Sequence, residues 1–413
     1  MTPATVIETR TGEVRAAARA TYVAFIGSGF ALSSWAARIP QIRDGLHLTP
    51  SRLGFVLLAM AAGSIVALPL AGHIVTHFGS RRTVTAMAGL LGVSMTAVGV
   101  GYWFGVFPVV VGLVFLGFAN GAWDVAMNVQ GAEVERRLGR AIMPRFHAGF
   151  SVGTVAGGLV GVVMVALHVP VPPHLIASGL VVAVAVIFAV RAFVPDHGAA
   201  DPDASPEVAI AESGLRRTLA AWREPRTLLV GVLVLTFALT EGAGIDWISV
   251  SMIDGYRVPA TVGTLAYSLF LASMTAGRWF GPSVLDRYGR VPVIRVLATI
   301  AVAGLALFIF GPHPAVAFAG TILWGLGASL GFPVGMSAAA DDPAKAPARV
   351  SVVASIGYCA FLGGPPLIGF LGDHFTTLRA LIAVGVALLV AIAVAGSLKP
   401  LGGSARPDGE PRR

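Results

Sequence analysis

The sequence predicts an all-helical integral membrane protein with twelve transmembrane helices in two pseudo-symmetric six-helix bundles and with both termini in the cytoplasm. Three observations predict this fold: an apolar composition, a turn that occurs twice, and an uneven distribution of basic residues. Apolar residues make up 55% of the 413 residues and charged residues only 12%, whereas a water-soluble domain carries roughly 25% charged residues. The mean hydropathy is +0.79. The chain lacks the polar surface of a soluble protein, so one integral membrane unit is expected.

The repeated turn indicates a duplicated fold. Its first copy has Gly79 at the tip and its second has Gly289, which lies 210 positions later, at about half of the chain length. Other pairs keep nearly the same offset in the same order along the chain: Trp35 and Trp247, Gly117 and Gly325, Gly153 and Gly357. A duplication at half length in an apolar chain is typical of secondary transporters.

Apolar segments long enough to cross a bilayer, which takes about 20 helical residues, recur at regular spacing. We predict spans at residues 20–38, 51–75, 83–104, 108–133, 145–168, 174–193, 228–253, 261–284, 291–311, 315–338, 349–371 and 377–398. The widest polar stretch separates the sixth span from the seventh. The predicted organisation is an N-terminal tail (1–19), an N-terminal bundle (20–193), a cytoplasmic linker (194–227), a C-terminal bundle (228–398) and a C-terminal tail (399–413).

The basic residues predict the orientation. If the N-terminus is cytoplasmic, the cytoplasmic segments hold 23 of the 29 lysines and arginines. Cytoplasmic loops of membrane proteins carry such an excess, so both termini are expected inside. Basic loops that face anionic lipid headgroups also account for the net charge of +8 without a nucleic-acid partner.

Acidic residues inside predicted spans are candidate functional residues, because a charge at a helix centre is costly in lipid. Asp124 shares one helix face with Asn120 and Asn128, which are four positions away on either side. This stripe either lines a cavity, where it would bind substrate, or clamps two helices together. Glu241 falls near the middle of the seventh span. It is a candidate for proton coupling and substrate binding, as is Asp124, and the alternative is a protonated or arginine-paired glutamate that only holds helices together.

Further charged residues are expected at gates or in ion pairs. Asp246 approaches the outer end of the seventh span, where a gate or an interhelical contact is favoured over proton coupling. Arg38, at the outer end of the first span, either pairs with Asp246 or Asp44 on closure or extends to the membrane surface. Arg278 lies inside the eighth span and requires an acidic or carbonyl partner.

Aromatic residues in the predicted spans could stack on a sugar-like ring, although aromatic residues at helical spacing more often serve packing. The candidates are Trp35, Trp123, Tyr267, Trp324 and Tyr358. The sequence shows no metal-ligand cluster, no phosphate-binding loop and no catalytic triad spacing. It therefore predicts no enzyme activity, no metal and no cofactor.

The turns resemble the signature of the major facilitator superfamily. The first copy carries that pattern at Gly72, Thr76, His77, Gly79, Ser80, Arg81 and Arg82, and a weaker copy stands at Asp286, Arg287, Gly289 and Arg290. The resemblance implies that the glycines and charged residues of these turns help to close the cytoplasmic side. Thr76 stands where the family has an acidic residue, so any salt bridge made by that acid in relatives is absent here.

Longer strings are similar to the YbjJ-type bacterial branch, which is distantly related to sugar–proton symporters of the fucose permease kind. They occupy residues 34–40, 128–137, 145–151 and 241–247. The resemblance implies a monomeric transporter of the bacterial inner membrane that moves a small polar or sugar-like solute by alternating access, with proton symport favoured. A proton-coupled efflux antiporter and a transporter-like solute receptor remain open. The fifth span lacks the glycine–proline signature of drug–proton antiporters, which weakens the efflux alternative.

Overall fold

The computed structural model describes residues 3–196 and 217–401, with side chains from residue 12 onward. In the N-terminal half the helices are α1 (Pro3–Ala36), α2 (Ile39–Gly45), α3 (Pro50–Gly101), α4 (Val106–Leu138), α5 (Met143–Ala166) and α6 (Val171–Ala189). In the C-terminal half they are α7 (Pro225–Tyr256), α8 (Ala260–Tyr288), α9 (Arg290–Phe310), α10 (Pro314–Ala328), α11 (Gly331–Ala339), α12 (Ala346–His374), α13 (Thr377–Ala380) and α14 (Ile382–Val394). Residues 197–216, in the middle of the predicted linker, and residues 402–413 of the predicted C-terminal tail lie outside the described part.

Within the described residues, ten helices are long and apolar enough to cross a membrane. This number differs from the twelve predicted spans for two reasons. The second and third predicted spans both lie in α3, which has 52 residues and would extend for about 78 Å at 1.5 Å per residue. The first predicted span lies in α1, which is less apolar because it carries the buried serines Ser28, Ser33 and Ser34.

The two turn glycines share one backbone conformation. Gly79 has φ 77° and ψ 158° inside α3, and Gly289 between α8 and α9 has φ 80° and ψ 165°. A residue with a β-carbon adopts this region at a cost, whereas glycine enters it freely. The helix direction therefore changes at the same point of each half, as the duplication predicts.

A second repeated feature is a close helix crossing in each half. A β-carbon on Gly117 would lie 1.9 Å from the Met60 carbonyl oxygen, and one on Gly325 would lie 2.5 Å from the Phe270 carbonyl oxygen. Met60 and Phe270 are themselves 210 positions apart. The backbones of α4 and α3 thus approach each other as those of α10 and α8 do, and only glycine permits that approach.

The halves make close contact at the end of the molecule where α2 lies, here called the Arg43 end. In one contact between α3 and α12, a β-carbon on Gly54 would lie 2.5 Å from the Pro365 carbonyl oxygen. The Asp373 carboxylate of α12 also accepts a hydrogen bond from the Ser51 amide of α3 at 3.2 Å. This end of the molecule is therefore closed.

The opposite end, here called the Gly79 end, is held by contacts within each half. The Asp196 carboxylate accepts hydrogen bonds from the Ser80 amide at 2.6 Å and the Ser80 hydroxyl at 2.9 Å. In the C-terminal half, the Asp341 carboxylate pairs with Arg290 at 2.6 Å and with Arg226 at 2.7 Å. Asp196 thus supplies a carboxylate to this turn, in which Thr76 occupies the position of the family's acidic residue. The Thr76 hydroxyl donates a hydrogen bond to the Gly72 carbonyl oxygen of its own helix.

Candidate functional site

A cavity of about 330 Å³ lies between the two halves. Helices α1, α3, α4 and α5 line it from one half, and α7, α8 and α12 from the other. Its walls are largely apolar, and among the described residues its charged side chains are Asp124, Glu241, Asp246 and Arg278. A small cavity with apolar walls and a few polar groups is the usual form of a binding site for a small molecule.

Asp124 reaches this cavity from α4. The Asn128 amide donates a hydrogen bond to the Asp124 carboxylate at 3.3 Å and another to the Asp124 carbonyl oxygen at 2.8 Å. Asn120 also lines the cavity, and its amide oxygen accepts a hydrogen bond from the Ser28 hydroxyl at 3.0 Å. The predicted stripe therefore divides between the two alternatives: Asn120 and Asp124 face the cavity, while Asn128 lies outside its lining and supports Asp124.

Glu241 is paired with an arginine. The Arg278 guanidinium of α8 lies 2.7 Å from the Glu241 carboxylate of α7, and its Nε donates to the Ser329 carbonyl oxygen at 3.3 Å. Both the acid and the carbonyl expected for Arg278 are present. The position of Glu241 corresponds to the arginine-paired alternative, although the pair also faces the cavity.

Asp246 lines the central cavity, and its predicted role as a gate or interhelical contact stays a prediction. It lines the same cavity as Asp124 and Glu241, next to Tyr267, whose hydroxyl shares a hydrogen bond of 3.0 Å with the Ser33 hydroxyl across the two halves. Within residues 12–196 and 217–401, the Asp246 carboxylate makes no hydrogen bond or ion pair. The sequence could not show that this acid lines the cavity, because the face that the 32-residue helix α7 turns to the cavity depends on how it packs.

The predicted aromatic residues separate into two groups. Trp35, Tyr267 and Tyr358 line the cavity. Trp123 and Trp324 are fully buried and lie outside its lining. The Trp324 indole donates to the Thr240 carbonyl oxygen at 3.2 Å and packs against Phe270 at 5.4 Å between ring centroids. These two positions fit helix packing better than solute stacking.

Trp247 is a cavity residue that the sequence did not single out as a binding residue. It lines the cavity, and its buried indole nitrogen has no hydrogen-bond partner in the described structure. Its pairing with Trp35 across the repeat is the signal that could have identified it, because Trp35 lines the same cavity from α1. Trp247 is itself fully buried, so it forms part of the cavity wall without exposing its indole nitrogen.

Arg38 occupies neither of its predicted positions. It is buried, with 2% of its surface exposed, and it donates to His174 Nδ1 at 2.8 Å and to the Val169 carbonyl oxygen at 2.9 Å. These contacts lie within the N-terminal half, so Arg38 pairs with neither Asp246 nor Asp44.

Arg43 makes the ionic contact between the halves at the closed end. It pairs with Asp254 of α7 and lies 2.7 Å from the Asp44 carboxylate. Burial alone would lower the pKa of Arg43, but the two carboxylates outweigh it and hold that pKa above its ordinary value. The guanidinium therefore remains charged and links the halves.

The residues of the repeated turns contact their own half. Arg290 pairs with Asp341, and Arg287 lies over the Tyr288 ring at 5.3 Å. Arg81, Arg82 and Asp286 are exposed. Within the described residues, these turns make no hydrogen bond or ion pair between the halves in this conformation. Their role in closing this end stays a prediction.

A family model for the Major Facilitator Superfamily matches residues 21–359. Among curated proteins, the chain is similar to "Uncharacterized transporter y4wD" of Sinorhizobium fredii, at 29% identity over 91% of this chain and 96% of that protein. It is also similar to "Membrane protein MosC" of Rhizobium meliloti, at 30% identity over 88% of this chain and 86% of that protein. The matches extend over nearly the whole length of these relatives.

Solved structures share the fold. The nucleoside transporter NupG superposes with a TM-score of 0.72 at 15% identity and covers 93% of this chain and 99% of that one. A D-xylose–proton symporter superposes with a TM-score of 0.69 at 13% identity, over 94% of this chain and 97% of that one. At these identities the likeness concerns the fold alone.

Proposed function

The chain belongs to the Major Facilitator Superfamily, and from this premise we propose that it is a secondary active transporter that moves a small polar solute together with a proton. The two halves would rock about the central cavity and expose it to each side of the membrane in turn. The relatives are membrane transporters of bacteria, and the proposed location is the bacterial inner membrane.

One observation carries this proposal: Asp246 lies in the central cavity without a partner in the described structure. A carboxylate at membrane depth is costly when charged, and taking up a proton removes that charge. Glu241 has its charge balanced by Arg278 at 2.7 Å. We therefore assign the coupling proton to Asp246, in place of Glu241, and keep the Glu241–Arg278 pair as a polar wall of the site.

The closed Arg43 end supports alternating access. It joins the halves through Arg43 with Asp254 and through Ser51 with Asp373. If the N-terminus is cytoplasmic, as we propose, this end would face outward and its closure would correspond to an inward-facing state. The reverse state requires these contacts to break and the Gly79 end to close, and the Gly79 and Gly289 turns are the proposed closing elements.

We propose twelve membrane crossings, with both termini in the cytoplasm and a monomer as the transporting unit. The ten apolar helices supply ten. Division of α3 at Gly79 adds one, because either side of Gly79 is long enough to cross, and α1 adds the last.

Proton movement in proteoliposomes tests the function. The purified full chain would be reconstituted with a trapped pH-sensitive dye, and solutes would be added outside without an imposed gradient. Symport predicts that a transported solute acidifies the lumen as it enters, and that protein-free liposomes do not respond. Solute entry that makes the lumen alkaline would indicate exchange, and solute binding without proton or solute movement would indicate a receptor.

A further inference from the structure

The acids of the central cavity outnumber its bases. Its lining has three carboxylates, Asp124, Glu241 and Asp246, and one basic side chain, Arg278. Arg278 is already engaged by Glu241 at 2.7 Å. Two carboxylates therefore lack a cation in a largely apolar enclosure. Such an enclosure disfavours an anionic solute, because like charges there are weakly screened.

We propose that the transported solute carries a positively charged amino group and that Asp124 binds it. The inference rests on the proposed transport function, since it names the solute class for the same cavity. It goes beyond a polar or sugar-like solute, because a neutral polyol would leave the charge of Asp124 unbalanced.

One contact distinguishes Asp124 from Asp246. The Asp124 carboxylate accepts a hydrogen bond from the Asn128 amide, whereas the Asp246 carboxylate accepts none within the described residues. A hydrogen bond to a carboxylate favours its charged form. An ammonium group that approaches Asp124 favours the charged form further, so we assign the ammonium group to Asp124 and the proton to Asp246.

The surroundings of Asp124 fit an ammonium group that bears a polar or ring-shaped remainder. Asn120 lines the cavity one turn before Asp124, on the same face of α4. Trp35 and Tyr358 line the cavity from opposite halves, and aromatic faces attract cations. An ammonium group thus finds a carboxylate and aromatic walls in one enclosure.

The fully loaded site would carry no net charge. Arg278 balances Glu241, a proton neutralises Asp246, and the ammonium group balances Asp124. With solute and proton absent, the same four side chains carry an excess of two negative charges. Reorientation of an apolar cavity is easier with its charges neutralised, so this assignment explains why solute and proton would travel together.

Binding of matched pairs tests the solute class. The probes are ethanolamine and ethylene glycol, D-glucosamine and D-glucose, and benzylamine and benzyl alcohol. Tryptophan fluorescence reports binding, because Trp35 and Trp247 line the cavity. We expect the amine of at least one pair to bind at least about tenfold more tightly than its neutral partner, which is the factor given by one charge-assisted hydrogen bond.

The variants identify the carboxylate. Asp124→Asn should remove the amine preference, whereas Asp124→Glu, which keeps the charge, should retain part of it. Glu13→Gln, at an exposed acid outside the cavity, is the matched control and should bind as the unmodified chain does. The proposal is overturned if no amine of the panel binds, if the neutral partners bind equally well, or if the preference survives in a folded Asp124→Asn protein.

The two proposals fail in different ways. If amines bind through Asp124 but no solute moves protons in proteoliposomes, the solute class stands and proton symport falls. If neutral solutes enter with protons and amines do not bind, symport stands and the solute class falls. The binding assay requires no membrane gradient, so its result does not depend on whether the protein transports protons.

Discussion

The Arg278 guanidinium and the Glu241 carboxylate lie 2.7 Å apart in the wall of the central cavity. They join α8 to α7, and the bond from Arg278 to the Ser329 carbonyl oxygen extends the link to the segment between α10 and α11. The pair is partly open to the cavity, with 29% of the arginine side chain and 17% of the glutamate side chain exposed. It therefore combines a structural link between three segments of the C-terminal half with a polar surface for the solute.

Removing one member of this pair should destabilise the protein. Glu241→Gln leaves the Arg278 charge unbalanced in a largely apolar wall. We expect a loss of unfolding free energy below the roughly 3–5 kcal/mol seen for fully enclosed pairs, because the cavity screens part of the charge. Thermal unfolding in detergent measures this loss. The double variant Glu241→Gln/Arg278→Gln should lose less stability than the two single variants lose together. An unchanged melting temperature in Glu241→Gln would show that the link is not stabilising.

The pairing also shows which features the sequence could predict. Gly79 and Gly289 predicted the duplicated turn because a glycine at a sharp change of direction is a local requirement. The partner of Glu241 was not predictable in the same way. Arg278 lies 37 positions away on another helix, and the contact depends on the rotation and depth of both helices. The same reason explains why the sequence alone could not show that Asp246 lines the cavity.

Asp246→Asn should uncouple transport from protons. The amide cannot take up a proton, so a pH gradient should no longer drive solute accumulation, whereas exchange of solute across the membrane should continue because the walls of the cavity are unchanged. Gradient-driven uptake and counterflow in proteoliposomes measure the two activities, with Glu13→Gln as the control. Full gradient-driven accumulation by Asp246→Asn would assign the coupling proton to another group.

Weakening the closed end should change the balance between conformations. Arg43→Gln removes the ion pair with Asp254 across the halves. This ion pair stabilises the conformation in which the Arg43 end is closed and would be broken when that end opens. Spin labels would be placed in a Cys359→Ser background at residue 103, in the exposed turn after α3, and at residue 310, the exposed end of α9 in the other half. We expect a larger population of long distances in Arg43→Gln. Identical distance distributions would show that Arg43 does not hold this end closed.

The glycine crossings should tolerate no side chain. Alanine at Gly117 would place its β-carbon 1.9 Å from the Met60 carbonyl oxygen, and alanine at Gly325 would meet the Phe270 carbonyl oxygen at 2.5 Å. Because backbone must move in both cases, we expect each variant to lose about 1–3 kcal/mol or more of stability. Gly89→Ala is the control, since no atom lies within 4 Å of its added carbon. Thermal unfolding of the three variants measures the effect, and equal stability of all three would contradict the close approach.

The final prediction concerns the pH dependence of stability at the Gly79 end. The Arg349 guanidinium donates to the Glu224 carboxylate at 2.6 Å, and the Thr227 hydroxyl donates at 2.9 Å. The bond from Arg349 outweighs burial and lowers the pKa of Glu224 below its ordinary value. A carboxyl whose pKa is lower in the folded state stabilises the fold above the unfolded pKa of about 4.3, and this contribution is lost as the pH falls through the folded pKa.

Glu224→Gln should therefore destabilise the protein near pH 7 and have a progressively smaller effect as the pH falls from about 5 through the folded pKa. The measurement is the difference in melting temperature between the unmodified chain and the variant across this range, in one detergent. Subtracting the two curves removes the titration of other carboxylates that both proteins share. Glu13→Gln should give a difference near zero at every pH. The prediction is contradicted if the difference in melting temperature for Glu224→Gln stays constant from pH 7 to pH 3. The carboxylate would then contribute packing alone, and its charge would have no part in holding α12 against the start of α7.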